Sequence, residues 1–147
     1  MKKVTLIFSF LLAFVGLANA QNYVGSYKGL MDEITMRGNS YDDVPDQVFN
    51  LTINMLTGTV SEIGSMPGTI SINLPIVVDA DGNITTTSTT CGTLTILGII
   101  PITLELTSLT EATIKNNILE FTLECHGTYF GQDFPASVHF KGELYNN

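Results

Sequence analysis

Apolar and polar residues alternate along most of this chain, whereas helical periodicity is weak throughout. Five segments show the alternation most clearly: 49–55, 70–76, 102–107, 119–126 and 138–144. A period of two with one apolar face is typical of β-strands that pack one face on a core and expose the other to water. The pattern therefore predicts an all-β domain.

Turn-forming residues separate these segments. They are Leu56-Thr57-Gly58, Met66-Pro67-Gly68, Asp81-Gly82-Asn83, Lys115-Asn116-Asn117 and Gly131-Gln132-Asp133. We predict eight strands, over 24–35, 47–57, 59–64, 69–78, 84–97, 101–114, 118–130 and 135–145. Short turns between consecutive strands give a meander, and closing it removes its two exposed edges. The predicted fold is a single eight-stranded antiparallel up-and-down β-barrel.

The first 20 residues differ from the rest of the chain. Lys2 and Lys3 precede an apolar run from Val4 to Leu17, and Ala18-Asn19-Ala20 supplies the small residues that a signal peptidase reads. The apolar run is shorter than the roughly 20 residues of a membrane-spanning helix. We predict a signal peptide over 1–20, a barrel domain over 21–147, and a periplasmic or extracellular location. No later segment predicts membrane insertion.

Charge narrows the range of partners. Two of the six basic residues lie in the first 20 positions and all 14 acidic residues follow, so residues 21–147 carry a net charge of −10. A surface this acidic repels nucleic acid phosphates and anionic lipid headgroups but permits cationic partners. We therefore expect no nucleic acid partner.

Three segments carry a resemblance to a known family: Gly25-Ser26-Tyr27-Lys28-Gly29, Asp79-Ala80-Asp81-Gly82-Asn83-Ile84-Thr85, and Phe134-Pro135 leading into Val138-His139-Phe140-Lys141-Gly142. Together they resemble the calycin-like β-barrel family of secreted Bacteroidetes proteins, a lipocalin-like group. The resemblance covers nearly all of residues 22–146. It implies an eight-stranded barrel whose last strand returns beside the first. It supplies no enzymatic activity to carry over to this chain, and we predict no cofactor.

Two functions fit an eight-stranded barrel, because such a barrel is either filled by its own side chains or holds one small ligand. The first is a carrier of a small apolar or amphipathic molecule. The residues predicted to line its cavity are Tyr27, Phe49, Ile53, Ile72, Leu104, Phe121 and Phe140. The second is a filled barrel whose outer surface and loops bind another secreted macromolecule.

An apolar segment falls where a polar turn is expected: Leu97, Gly98, Ile99, Ile100 and Pro101. Such a loop at a barrel end is a candidate ligand portal or partner-contact patch. The alternatives are that the loop folds over the barrel end and plugs it, or that the strands run through it.

Asp79, Asp81 and Asn83 resemble the start of a calcium loop. That loop needs glycine at its sixth position and glutamate at its twelfth, where Ile84 and Thr90 stand instead. We therefore predict an Asp-Gly hairpin turn. The first long loop carries a further acidic cluster, for which a solvated loop is favoured over a cation site or a lid: Asp42, Asp43 and Asp46.

The two histidines, His126 and His139, fall on the outward face of adjacent strands and could approach each other. Glu124 is the only further ligand candidate on that face, so exposed histidines without a metal are predicted. No Ser–His–acid arrangement, glycine-rich phosphate loop or Cys–His metal spacing is visible, which favours a protein that is not an enzyme.

The two cysteines stand in a chain whose export would permit oxidation. Alternation puts Cys125 on the inward face with Leu123, and puts Cys91 on the outward face unless Gly92 carries a bulge. We therefore predict that Cys91 and Cys125 do not form a disulfide.

Overall fold

The computed structural model of the protein describes residues 23–61 and 68–146, and the predicted signal peptide lies outside this part. Within it the chain contains no helix, and therefore no helix that is long and apolar enough to span a bilayer. The strands are β1 Gly25–Met36, β2 Asn39–Tyr41, β3 Val44–Leu51, β4 Met55–Ser61, β5 Gly68–Pro75, β6 Val77–Val78, β7 Ile84–Thr85, β8 Thr90–Ile96, β9 Ile100–Lys115, β10 Ile118–Tyr129 and β11 Gln132–Asn146.

Eight of these strands form a closed antiparallel barrel in the order β1-β3-β4-β5-β8-β9-β10-β11, and β11 pairs back onto β1. The predicted up-and-down β-barrel is therefore confirmed. Closure pairs the first strand with the last, from Ser26 opposite Asn146 to Met36 opposite Ala136. The short β2 pairs with β1, and β6 pairs with β7 as a separate hairpin.

The two ends of the barrel differ. One end, here called the rim, carries the connection from β1 to β3 and the β8–β9 and β10–β11 turns. The opposite end, the base, carries the β3–β4 and β9–β10 turns and the hairpin of β6 and β7. At the base the Tyr23 hydroxyl donates to the Ile53 carbonyl at 2.8 Å, and the Tyr27 hydroxyl donates to the Tyr23 carbonyl at 2.5 Å. Two tyrosine hydroxyls are therefore bonded to backbone carbonyls at the base.

The segment between β5 and β8 fills a gap in the barrel wall. β8 pairs with β9 only as far as Glu105. The part of β9 from Leu106 to Lys115, towards the base, therefore has no full strand partner on its β8 side. The Ile114 N–H instead donates to the Gly82 carbonyl at 2.7 Å, and the Leu106 N–H to the Thr89 carbonyl at 2.8 Å. These bonds satisfy backbone groups that would otherwise be unpaired.

One predicted strand is wrong in its extent. Residues 47–57 are not continuous, because β3 ends at Leu51 and the turn falls at 52–54 instead of at 56–58. Gly58 lies inside β4, directly opposite Phe49, and a side chain there would overlap the Phe49 ring. A glycine within a strand often marks such a close approach, and the sequence alone does not separate it from a turn glycine.

The predicted strand 84–97 is also interrupted, since only Ile84–Thr85 and Thr90–Ile96 are extended. Between them the Thr86 hydroxyl accepts from the Ser88 N–H, and the Ser88 hydroxyl accepts from the Thr90 N–H. Local bonds of this kind compete with strand pairing, which explains the break.

Candidate functional site

The barrel interior contains six of the seven residues predicted to line a cavity. Tyr27, Phe49, Ile72, Leu104, Phe121 and Phe140 are all buried. Ile53 is the exception, and the prediction that it faces the interior is wrong. It lies in the β3–β4 turn with 61% of its surface exposed, because the strand that would have pointed it inward ends at Leu51.

Three phenylalanines fill the middle of the barrel. The ring of Phe49 lies 5.1 Å from that of Phe121 and 4.7 Å from that of Phe140, both in edge-to-face contact. An apolar cavity inside the described barrel lies towards the rim, beside Met31 and Leu123, and has a volume of about 30 Å³. A pocket for a drug-sized ligand needs about 300–1,000 Å³. The described interior is therefore filled by its own side chains.

Large apolar side chains are exposed at the rim: Leu97 by 68%, Ile99 by 78% and Phe130 by 84%. The predicted apolar loop is a tight turn over 97–99, and Ile100 and Pro101 belong to β9. Leu97 and Ile99 point into solvent, so this loop neither plugs the barrel nor lines its interior.

The rim turns share an uncommon backbone conformation. Each has two central residues with positive φ, as type I′ hairpin turns require, and these are Arg37-Gly38, Leu97-Gly98 and Phe130-Gly131. Asparagine, aspartate and glycine are favoured at the first of these positions, whereas a bulky residue there is strained. At the base the corresponding β9–β10 turn uses Asn116-Asn117. The rim therefore holds leucine and phenylalanine in strained, exposed positions.

We expect Leu97→Asn to raise the free energy of unfolding by about 0.5–1 kcal/mol, because asparagine tolerates the left-handed conformation that strains leucine. Urea unfolding measures the change. Ile99→Asn is the matched control, since Ile99 is 78% exposed against 68% for Leu97 but has no positive φ, and it should give no such gain. A destabilised Leu97→Asn protein would mean that Leu97 makes contacts that outweigh the strain.

The two acidic clusters are surface features. Asp42, Asp43 and Asp46 are exposed at the rim end of β3. The Asp79 carboxylate accepts from the backbone N–H groups of Asp81 and Asn83 at 2.9 and 2.8 Å, which closes the hairpin between β6 and β7. These bonds, led by the one from Asn83, lower the pKa of Asp79. The predicted Asp-Gly hairpin turn is confirmed.

The two histidines do not approach each other, so that expectation is wrong. His126 lies opposite Pro135 and His139 opposite Thr122, so the strand register separates them along the barrel. His126 contacts the Glu105 carboxylate at 2.9 Å. His139 lies between two carboxylates instead.

His139 lies on the outer face of β11 and has a carboxylate on each ring nitrogen. Its Nδ1 is 2.5 Å from an Asp32 oxygen on β1, and its Nε2 is 2.7 Å from a Glu120 oxygen on β10. The carboxylate of Glu111 on β9 is also near, since ligand atoms of Glu111, Glu120 and His139 all lie within 4.8 Å of one another. Four strands thus contribute to one outer-face cluster, here called the His139 cluster.

Two β-bulges build this cluster. The β1–β11 register shifts between Asp32 and Thr35, and the β9–β10 register shifts opposite Phe121. Glu33 and Glu111 have positive φ at these shifts. Strand alternation could have paired Glu120 with His139, but sequence reasoning missed the cluster because nothing in the sequence indicated the bulges.

The cluster makes the stability of the fold depend on the protonation state of His139. Partial burial lowers the pKa of His139, but hydrogen bonds and charge interactions with Asp32 and Glu120 outweigh it and raise that pKa above 6.5. Lys141, the nearest basic neighbour on β11, pairs across the ladder with Glu120. Two carboxylate partners therefore favour the imidazolium form.

We expect His139 to contribute stability below pH 6.5 and to lose that contribution as pH rises through its folded-state pKa, because folding favours its charged form. The difference in unfolding free energy between the wild type and His139→Gln should therefore shrink with rising pH. Urea unfolding of both proteins across this pH range, in EDTA-containing buffer, measures the difference. A difference that grows with pH would contradict the assignment.

The two thiols are both inside the barrel, because the bulge at Gly92, the exception to an outward Cys91, is present. The β8–β9 register shifts between Thr90 and Gly92, which is the bulge that reverses the alternation, and Cys91 is fully buried. Cys125 is also buried, and both thiols are free. A hydrogen bond with Cys125 and burial raise the pKa of Cys91, so it remains a protonated, weakly nucleophilic thiol at neutral pH.

Comparison of the chain with protein-family models, curated proteins and solved structures found no match. The closed eight-stranded barrel therefore defines the fold class.

Proposed function

We propose that this chain is an exported, non-enzymatic binding protein of the calycin-like type that binds a cationic protein surface bearing apolar residues through its rim. The observation that carries the proposal is the pair of strained rim turns. Leu97 and Phe130 occupy first central positions of type I′ turns, where asparagine would be more stable and more soluble. Strain retained at an exposed position points to a role in binding.

Electrostatics supports a cationic partner. Residues 21–147 carry a net charge of −10, and Asp42, Asp43 and Asp133 are exposed near the rim. Complementary charge speeds association and suppresses wrong partners, while apolar anchors supply affinity. The rim offers both kinds of group.

The filled interior argues against the carrier hypothesis. The apolar cavity beside Met31 and Leu123 has a volume of about 30 Å³, well below the roughly 300 Å³ of a small-molecule pocket. This supports a function carried by the outer surface and the loops.

A peptide-binding experiment tests the proposal. Fluorescence anisotropy would compare a cationic lysine–leucine peptide with a glutamate–leucine peptide of the same length and leucine content. We expect the protein to bind the cationic peptide alone, with affinity that falls as salt is added. The double variant Leu97→Asn/Phe130→Asn should weaken binding at least tenfold.

Ile53→Asn/Val77→Asn is the matched control, because these apolar residues lie at the base with 61% and 64% of their surfaces exposed. It should bind as the wild type does. Equal loss in both double variants, or equal binding of the two peptides, would overturn the proposal. A raised melting temperature with oleate, unaffected by the rim variant, would favour the carrier hypothesis instead.

A further inference from the structure

We propose that the His139 cluster is a binding site for a divalent transition metal ion of the Zn²⁺ type. Glu111, Glu120 and the Nε2 of His139 would be the ligands, and Asp32 would orient the histidine. The three ligand atoms lie within 4.8 Å of one another on the outer face of the barrel.

The donor set suits this class of ion. An imidazole nitrogen favours zinc and its neighbours, whereas magnesium and calcium prefer sites made of oxygen alone. Three protein ligands with an open fourth position are the arrangement of exposed zinc sites that retain a water molecule. Ligands about 2.1 Å from a tetrahedral ion are about 3.4 Å apart. The distance from the His139 Nε2 to the Glu120 carboxylate is 2.7 Å, and no two of the three ligand atoms are more than 4.8 Å apart. The spacing that zinc needs lies between these two values.

Asp32 supplies the second independent feature of a metal site. A histidine that binds a metal through one ring nitrogen usually donates from the other to a carboxylate, which fixes the ring and its tautomer. The Nδ1 of His139 is 2.5 Å from Asp32, which leaves Nε2 directed at Glu120 and Glu111. His126 lacks this arrangement, because its two ring nitrogens contact Thr107 and Glu105.

The backbone strain around the cluster is consistent with a built site. The bulge on β9 puts both Thr110 and Glu111 on the outer face, where regular alternation allows only one residue. The bulge on β1 does the same for Asp32 and Glu33. Bulges occur next to functional sites because they re-aim side chains. Two of them, on opposite sides of His139, increase the carboxylate density around one imidazole.

The charge balance also favours a cation. The acidic groups around His139 on the three neighbouring strands include Asp32, Glu33, Glu111, Glu120 and Glu124, and Lys141 is the nearest basic group on its own strand. A divalent ion would offset the excess negative charge. Partial burial of His139 and Glu120 reduces screening by solvent.

Isothermal titration calorimetry with ZnCl₂ tests the proposal on protein purified without a polyhistidine tag. We expect one ion per chain in the micromolar range, and no detectable heat with MgCl₂ or CaCl₂. Glu111→Gln should weaken Zn²⁺ binding. It is also the ligand substitution that should disturb the fold least, because Glu111 is exposed. Asp32→Asn should weaken it about 10–100-fold without removing a ligand.

His126→Gln is the matched control, because it removes the other outer-face histidine and its contact with a carboxylate. Its affinity for Zn²⁺ should equal that of the wild type. Visible absorption of the Co²⁺-substituted protein gives a second readout, since a tetrahedral site with Glu111 and His139 intact produces strong d–d bands that Glu111→Gln abolishes.

Two results would overturn the proposal. One is a dissociation constant above about 1 mM for Zn²⁺. The other is binding that survives in Glu111→Gln and Glu120→Gln but falls in His126→Gln. Circular dichroism of each variant shows whether the barrel is folded. If His139→Gln does not fold, the Glu111→Gln and Asp32→Asn proteins still decide between a metal site and an ion bridge that only holds strands together.

Discussion

Replacing Phe49 with alanine should lower the free energy of unfolding by about 3–5 kcal/mol, the largest effect expected of a single substitution in this protein. Phe49 is 1% exposed and its ring contacts those of Phe121 and Phe140. It also covers Gly58 on the next strand, so no other side chain is available to fill the space. The loss combines lost apolar burial, two edge-to-face contacts and a new cavity.

Urea unfolding measures this loss, provided that the unfolding free energy has the same dependence on urea concentration in both proteins. Phe130→Ala is the matched control, because it removes the same side chain from a position that is 84% exposed. We expect it to change stability by less than about 0.5 kcal/mol. If Phe49→Ala loses less than about 1 kcal/mol, the interior is not packed around the three phenylalanines, and a hollow barrel becomes the better description.

Replacing Gly29 with alanine should lower the free energy of unfolding by about 3 kcal/mol, the second largest effect. Gly29 lies opposite Gly142 in the ladder that closes the barrel. A Cβ at Gly29 would overlap the backbone of Lys141 and Gly142. Backbone cannot move aside as a flexible side chain can, so β1 and β11 would have to separate. Alanine would otherwise stabilise a strand, so only this overlap makes the change unfavourable.

Gly38→Ala is the matched control, because it tests the effect of a positive φ without the backbone overlap expected at Gly29. Gly38 has a φ of +83° but no atom within 4 Å of a Cβ built on it. Its substitution should lose only about 1 kcal/mol, from backbone strain alone. Thermal unfolding of the two variants in parallel gives the comparison. A Gly29→Ala protein as stable as the wild type would mean that the closing strands lie further apart than the structure has them.

The strained rim turns and the His139 cluster have a common physical basis. In both, residues other than glycine adopt left-handed backbone conformations that lower stability: Leu97 and Phe130 at the rim, Glu33 and Glu111 beside His139. Proteins tolerate such positions when function requires the side chains to lie there. The peptide and zinc experiments address these two regions independently.

Alternation and turn residues were enough to predict the barrel, because both are local properties. A period of two needs only neighbouring residues, and the edges of a long meander favour closure whatever the side chains are. The same reasoning predicted the hairpin at Asp79 and the inward direction of Tyr27, Phe121 and Phe140.

Tertiary structure alone decided the features on which the two proposals depend. One inserted residue reverses the alternation that follows it, so the bulges that bury Cys91 and bring Glu111 towards His139 depend on how two strands pair. Whether the barrel is filled depends on how rings from β3, β10 and β11 meet across it. The sequence by itself therefore determined the class of fold and most of its inward face. Pairing between distant strands determined the filled interior and the His139 cluster, because both arise from contacts between residues far apart in the chain.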